Sequence, residues 1–279
     1  MAKNSIELIN VTKEYSTGHS YKKCALKDIN LTIRQGEYIG LIGMNGSGKS
    51  TLARLINGLI QPTSGKVLVN GLDTAARGSL IEIRRLVGMV FQNPDNQIIS
   101  SIVEEDIAFG PENLKLPPAE VKERIDWALQ AVGLTELRHH APYLLSGGQK
   151  QKVAIASALA MRPSHLILDE PTSMLDPRGS QELIKNLKEL NEKHGITIIL
   201  ISHHMEDVAH AERLIVLDQG SVCLEGAPWE VFTSEENLAD TGLNPPEIVQ
   251  LANSLRKRGH AIDKEIINMQ QMVEYICRS

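Results

Sequence analysis

One short run constrains this chain more than any other. Gly43-Met44-Asn45-Gly46-Ser47-Gly48-Lys49-Ser50-Thr51 matches the pattern G-x-x-x-x-G-K-[ST] in full. An apolar stretch, Tyr38 to Ile42, precedes it, and Leu52, Leu55 and Ile56 follow at helical spacing. In that strand–loop–helix setting, glycines at positive φ turn backbone N–H groups inward around phosphate oxygens. The start of the following helix adds partial positive charge at the same point. Lys49 is expected to reach the β- and γ-phosphates of a nucleotide, and the Ser50 hydroxyl to bind Mg²⁺.

Around this loop, short apolar runs alternate with helical patterns, which points to a layered α/β fold. Ile6 to Ile9, Glu37 to Ile42, Lys66 to Val69, Val87 to Phe91, His165 to Leu168, Thr197 to Ile201 and Arg213 to Leu217 read as strands. Asn70-Gly71 and Gln219-Gly220 carry the chemistry of hairpin turns. A helix is expected from Pro117-Pro118, with Val121, Ile125, Ala128, Leu129 and Val132 on one face. A second helix carries Leu183, Ile184, Leu187 and Leu190. From about Gly226 the pattern changes to acidic residues, then the basic run Arg256-Lys257-Arg258, and reads as a C-terminal appendage.

The run His165 to Glu170 is an apolar strand ending in two carboxylates. It carries Asp169 to the carboxyl edge of the sheet, where it is expected to hold Mg²⁺. Strand alternation sends Glu170 to the opposite side, where it is expected to polarise a water for in-line attack.

Composition excludes other classes. Lys and Arg number 29 against 34 Asp and Glu, a net −5, which argues against a chain built to neutralise nucleic-acid phosphates. No apolar run approaches the ~18 residues that a membrane span needs. Met1 to Ser5 opens no apolar signal core. Cys24, Cys223 and Cys277 are scattered, so neither zinc nor a disulfide framework is expected, and a reducing cytoplasm is.

Leu145-Ser146-Gly147-Gly148-Gln149 precedes an alanine-rich helical run, and Ser146 can cap that helix. With the phosphate loop, this resembles the ATP-binding-cassette (ABC) ATPases. The resemblance spans residues 5 to about 226 and implies an ABC nucleotide-binding domain: a RecA-like P-loop core with an antiparallel β subdomain and a helical subdomain near 93–162. Residues 227–279 form the appendage, with a role in dimerisation implied. The resemblance also implies ATP sandwiched between two cassettes, with Ser146, Gly147, Gly148 and Gln149 meeting the γ-phosphate held by the partner's loop. Tyr15 is where an aromatic stacks on adenine. Gln92 matches a glutamine that senses Mg²⁺ and contacts the membrane partner. Ser173-Met174-Leu175-Asp176 resembles the D-loop, and His203 the switch histidine that contacts the γ-phosphate and holds Glu170. Lys152, where many cassettes have arginine, and His204, where an acidic residue often stands, depart from the pattern.

Asn93-Pro94-Asp95-Asn96-Gln97-Ile98 and Val103 to Pro111 look like the ATPases of energy-coupling-factor (ECF) transporters, of EcfA or CbiO type. The implied partners are a second ATPase, a transmembrane coupling protein (EcfT-like) and a substrate-binding membrane protein, at the cytoplasmic face of the membrane. Gln92 to Gln97 are expected to wall a groove for a helix of the coupling protein, with Asp95 attracting basic residues. Another class of ABC transporter, or a cassette with no transport role, stays open as an alternative. A P-loop kinase or GTPase has no use for the signature or the switch histidine. One chain does not say whether the second cassette is identical or a paralogue, nor what is transported.

Overall fold

The computed structural model describes residues 5–17 and 21–278; the N-terminal reading on Met1 to Asn4 lies outside them. The strands, in chain order, are β1 (Ser5–Thr17), β2 (Tyr21–Arg34), β3 (Tyr38–Ile42), β4 (Ser64–Val69), β5 (Leu72–Asp73), β6 (Val87–Val90), β7 (His165–Asp169), β8 (Thr197–Ile201), β9 (Arg213–Asp218) and β10 (Ser221–Gly226). Helices α1 (Lys49–Ile56), α2 (Leu80–Leu86), α3 (Val103–Asn113), α4 (Pro118–Val132), α5 (Gly147–Ala160) and α6 (Pro177–His194) are followed by the short α7 (Met205–Val208). The C-terminal stretch holds α8 (Pro228–Thr233), α9 (Glu235–Asp240), α10 (Glu247–Lys257) and α11 (Met269–Arg278).

Two sheets result. The smaller is antiparallel, in the order β2-β1-β4-β5. The larger runs β10-β9-β3-β8-β7-β6, parallel from β9 to β6 with β10 antiparallel at one edge. Both expected hairpins form. Asn70-Gly71 joins β4 to β5 and Gln219-Gly220 joins β9 to β10, each with positive φ at both turn residues, the geometry that matches the strand twist. The long β2 is a strand not expected above, although Ile29, Leu31 and Ile33 alternate with polar residues at a strand's period of two and face the core; its pairing with β1 is bulged.

The parallel strands are buried on both faces, and their period of two sorts them into two cores. Ile39, Leu41, Ile167, Ile199, Ile201, Ile215 and Leu217 pack with α1 and the antiparallel sheet. Tyr38, Ile42, Leu166, Leu168, Ile198, Leu200, Leu214 and Val216 pack with α3 to α6. Val231, Phe232, Leu243, Val249, Ala252, Ile267 and Met272 of the C-terminal stretch join this second core. The strand order also brings the ends of β3, β6, β7 and β8 to one edge, where open α/β sheets bind ligands.

Candidate active site

At that edge lies a cavity of about 550 Å³, walled by Tyr15, Asn45, Gly46, Gly48, Lys49, Ser50, Thr51, Gln92, Asp169, Glu170 and His203. Lys23 and Ala25 complete the wall. No motif marks those two; the register of the first hairpin, which pairs Tyr15 with Lys23, delivers them. Gly43 and Ser47 do not line the cavity. Ser47 is buried beneath the loop, its hydroxyl without a hydrogen-bond partner among the described residues.

The loop's glycines are required by close approach. A Cβ on Gly43 would sit 2.2 Å from the Leu217 carbonyl oxygen, and one on Gly48 2.6 Å from that of Ala25. The Gln219-Gly220 turn supports the loop from below, Gly220 N–H donating to Ser47 O at 3.0 Å. Lys49 Nζ donates to the carbonyls of Gly43 (2.7 Å) and Met44 (3.1 Å). Burial pulls the Lys49 pKa down, and the charges of Glu170 and Asp169 oppose that pull. Beside it, burial raises the Asp169 pKa, against a hydrogen bond from the Ser50 hydroxyl that lowers it. Tyr15 Oη lies 3.4 Å from Thr51 Oγ1, and Lys13 Nζ sits 5.2 Å from the centre of the Tyr15 ring.

Asp169 and Glu170 face the same cavity, which corrects the expectation from strand alternation. The strand ends at Asp169, and Glu170 takes a left-handed backbone with φ 51°. That turn, rather than the pleat, aims the carboxylate. Its cost is of the order of 1–3 kcal/mol, sustained only where the surroundings over-determine it. Both carboxylate oxygens are engaged: Gln92 Nε2 donates to Oε2 at 2.6 Å, and His203 Nδ1 lies 3.2 Å from Oε1. The ring of His204 tilts against that of His203, centroids 4.2 Å apart.

The other predicted residues lie elsewhere. Ser146 caps α5, accepting from Gln149 N–H, while Gln149 Oε1 accepts from Ser146 N–H in a reciprocal capping box. Gly147 and Gly148 rest on Met174 and Leu175. Asp176 caps α6 by accepting from Gly179 N–H at 2.8 Å. None of these residues borders the cavity. Lys152 pairs with Glu182 of α6 at 3.2 Å, a single contact where arginine could fork.

Asp95 pairs with Lys150 of α5 at 2.7 Å while its side chain stays 62% exposed, so the charge expected to attract a basic partner is in part matched within the chain. Gln97 turns inward, its Oε1 accepting from Phe91 N–H. Beside this turn is a second cavity of about 390 Å³ whose wall includes Leu59, Met89, Phe91, Gln97, Ile99 and Phe109.

Among the described residues no group of three His, Cys, Asp or Glu side chains is placed to hold a metal. Mg²⁺ needs none, since it binds through one or two carboxylates, phosphate oxygens and water. The paired oxygens of Ser50 and Asp169 suit that ion. No helix among the described residues is long and apolar enough to cross a membrane.

Residues 26–173 match the ABC transporter family. The chain is 53% identical to the energy-coupling factor transporter ATP-binding protein EcfA1 of Caldanaerobacter subterraneus subsp. tengcongensis, over 96% of this chain and 97% of that one. Among solved structures, cbiO1 from Clostridium perfringens, described as part of the ABC transporter complex cbiONQ, superposes with a TM-score of 0.76 at 38% identity, over 90% of this chain and 98% of the other. A dimeric ATP-binding cassette in a post-hydrolysis state with ADP and phosphate gives a TM-score of 0.74 at 35% identity, over 80% and 98%. A phosphate loop whose carboxylate is held by a glutamine and a histidine, and a likeness that runs nearly end to end, agree: the chain belongs to the ATP-binding proteins of energy-coupling factor transporters, within the ABC transporter family.

Proposed function

We propose that two cassettes sandwich two ATP molecules, each bound by the phosphate loop of one and the signature of the other. One observation carries this reading: the cavity and the signature, both needed to enclose a γ-phosphate, lie on separate surfaces of one chain. Tyr143, Leu144 and Met174, beside the signature, are exposed apolar residues, as a face awaiting a partner would be. Met269, Val273 and Ile276 form an exposed stripe on α11, which supports dimerisation through residues 227–279. The dimeric state of the solved cassette accords with this.

Within the sandwich, Lys49 and the loop amides bind the phosphates, and Ser50, Asp169 and Gln92 would hold Mg²⁺. When bound, the ion would help neutralise the phosphate charge. Glu170 orients and polarises the attacking water, accepting its proton, and His203 keeps that carboxylate in line. The second cavity, with Leu59, Ile99 and Phe109 exposed around it, receives a cytoplasmic helix of a transmembrane coupling protein by apolar contact. Gln92, one residue beyond Phe91, connects that groove to Glu170. The chain then works at the cytoplasmic face of the membrane, with a substrate-binding membrane protein in the same assembly.

The test is light scattering of full-length Glu170→Gln with and without ATP. Conversion of monomer to dimer on adding ATP, reversed by removing it, is expected. A monomer with ATP bound, even after mixing with the cassette that co-purifies from membranes, would sink the sandwich.

A further inference from the structure

A buried carboxylate outside the cavity joins the two turns that carry Glu170 and His203. Asp207, in α7, is 8% exposed. Its Oδ2 accepts from Thr172 Oγ1 at 2.6 Å and from Ser202 Oγ at 2.9 Å. Ser202 directly precedes His203, and its Oγ also accepts from His204 N–H at 3.0 Å. Thr172 stands two residues after Glu170, in a turn where Ser173 Oγ donates to Glu170 O at 2.9 Å. Asp207 itself does not line the cavity.

Burying a carboxylate costs several kcal/mol unless strong hydrogen bonds offset the lost hydration. Here two hydroxyl donors do so, and charge-assisted bonds of this length are stronger and more directional than neutral ones. One oxygen therefore fixes two chain segments that are far apart in sequence but meet at the reacting end of the cavity. Each segment needs fixing. Glu170 holds a left-handed backbone that a loose turn would relax, and His203 is nearly half exposed, with its ring nitrogen 3.2 Å from Glu170.

We propose that Asp207 is a positioning residue for ATP hydrolysis: through Thr172 and Ser202 it holds the Glu170 carboxylate and the His203 imidazole in mutual register. This rests on the roles given above to Glu170 and His203. Misplacement by about an ångström at a reacting group can cost ~10²-fold in rate, so loss of the tie acts on turnover rather than on nucleotide affinity.

The experiment uses the full-length chain with the partners that co-purify with it. ATP turnover, ATP affinity and thermal midpoint are measured for Asp207→Ala, Thr172→Val, Ser202→Ala and His203→Ala, and for Asp207→Ala combined with His203→Ala. Asp207→Ala is expected to lower kcat about 10- to 100-fold with the Kd for ATP within twofold. Ser202→Ala, which removes only a hydroxyl, should lower kcat in the same direction if Asp207→Ala does not fold. The double variant should be no slower than His203→Ala, because both changes undo the same arrangement. Multiplying losses, or a fall in ATP affinity that tracks the fall in kcat, would overturn the positioning role. Normal turnover by His203→Ala would instead overturn the roles assigned to the pair itself.

Discussion

The cavity and the signature surface are built in opposite ways. In the cavity, Lys49 is 6% exposed and Asp169 7%, and the charges of Glu170 and Asp169 oppose the pull of burial on the Lys49 pKa. Buried charge of this kind is costly in an empty fold, and it gains its full effect when phosphate charge arrives in a low dielectric. At the signature, polar groups are spent on the chain's own helix ends: Ser146 and Gln149 cap α5 and Asp176 caps α6. In the proposed sandwich, that surface acts only once another chain covers it. The contrast teaches how, on the proposed reading, one chain can fold a binding half of a site and leave the closing half to its partner.

Substitutions can separate the two halves. The largest effect is expected from Glu170→Gln. Turnover should fall ~10²–10⁴-fold, the usual cost of losing a general base, with ATP binding retained. A near-normal rate in single-turnover assays would take Glu170 out of the chemistry.

Acid should then weaken the frame that both halves share. His165 starts β7, is fully buried, and has its pKa pushed down by burial from 6.5 to about 4. The depressed value means that its contribution to stability is fully present above about pH 6.5 and is lost as pH falls through 4. The shift corresponds to a loss of about 3 kcal/mol. Urea unfolding between pH 7 and pH 4 should show His165→Gln losing less stability than wild type over that range. Parallel curves would contradict the assignment.

Lys49→Ala comes next, and tests the cavity alone. Hydrogen bonds to a charged group are worth ~1.5–3 kcal/mol, so ATP should bind about 10- to 100-fold more weakly to the isolated chain. Titration calorimetry reads this directly. The smallest effect on the single chain belongs to Ser146→Ala. Loss of the cap should cost ~1 kcal/mol of stability and leave ATP affinity unchanged, while ATP-dependent dimerisation of the Glu170→Gln protein falls. Weakened ATP binding by the monomeric Ser146→Ala chain would erase the division between the halves.

What the sequence by itself determined is what short-range patterns encode. The phosphate loop, the acids at the end of β7, the capped signature and both hairpin turns follow from residue types at close spacing, because glycine, proline and capping groups act within a few residues. Short apolar runs alternating with helical patterns likewise announced a layered α/β fold. The tertiary structure alone decided which distant residues meet. It brought Lys23 to the cavity through the register with Tyr15, and Lys150 to Asp95 across the gap between α5 and the turn after β6. It aimed Glu170 by a left-handed turn that strand periodicity does not foretell. It also tied Asp207 to the turns that carry Glu170 and His203 and packed the C-terminal stretch onto the core of α3 to α6. Such contacts depend on strand order and helix packing, and no local pattern carries that information.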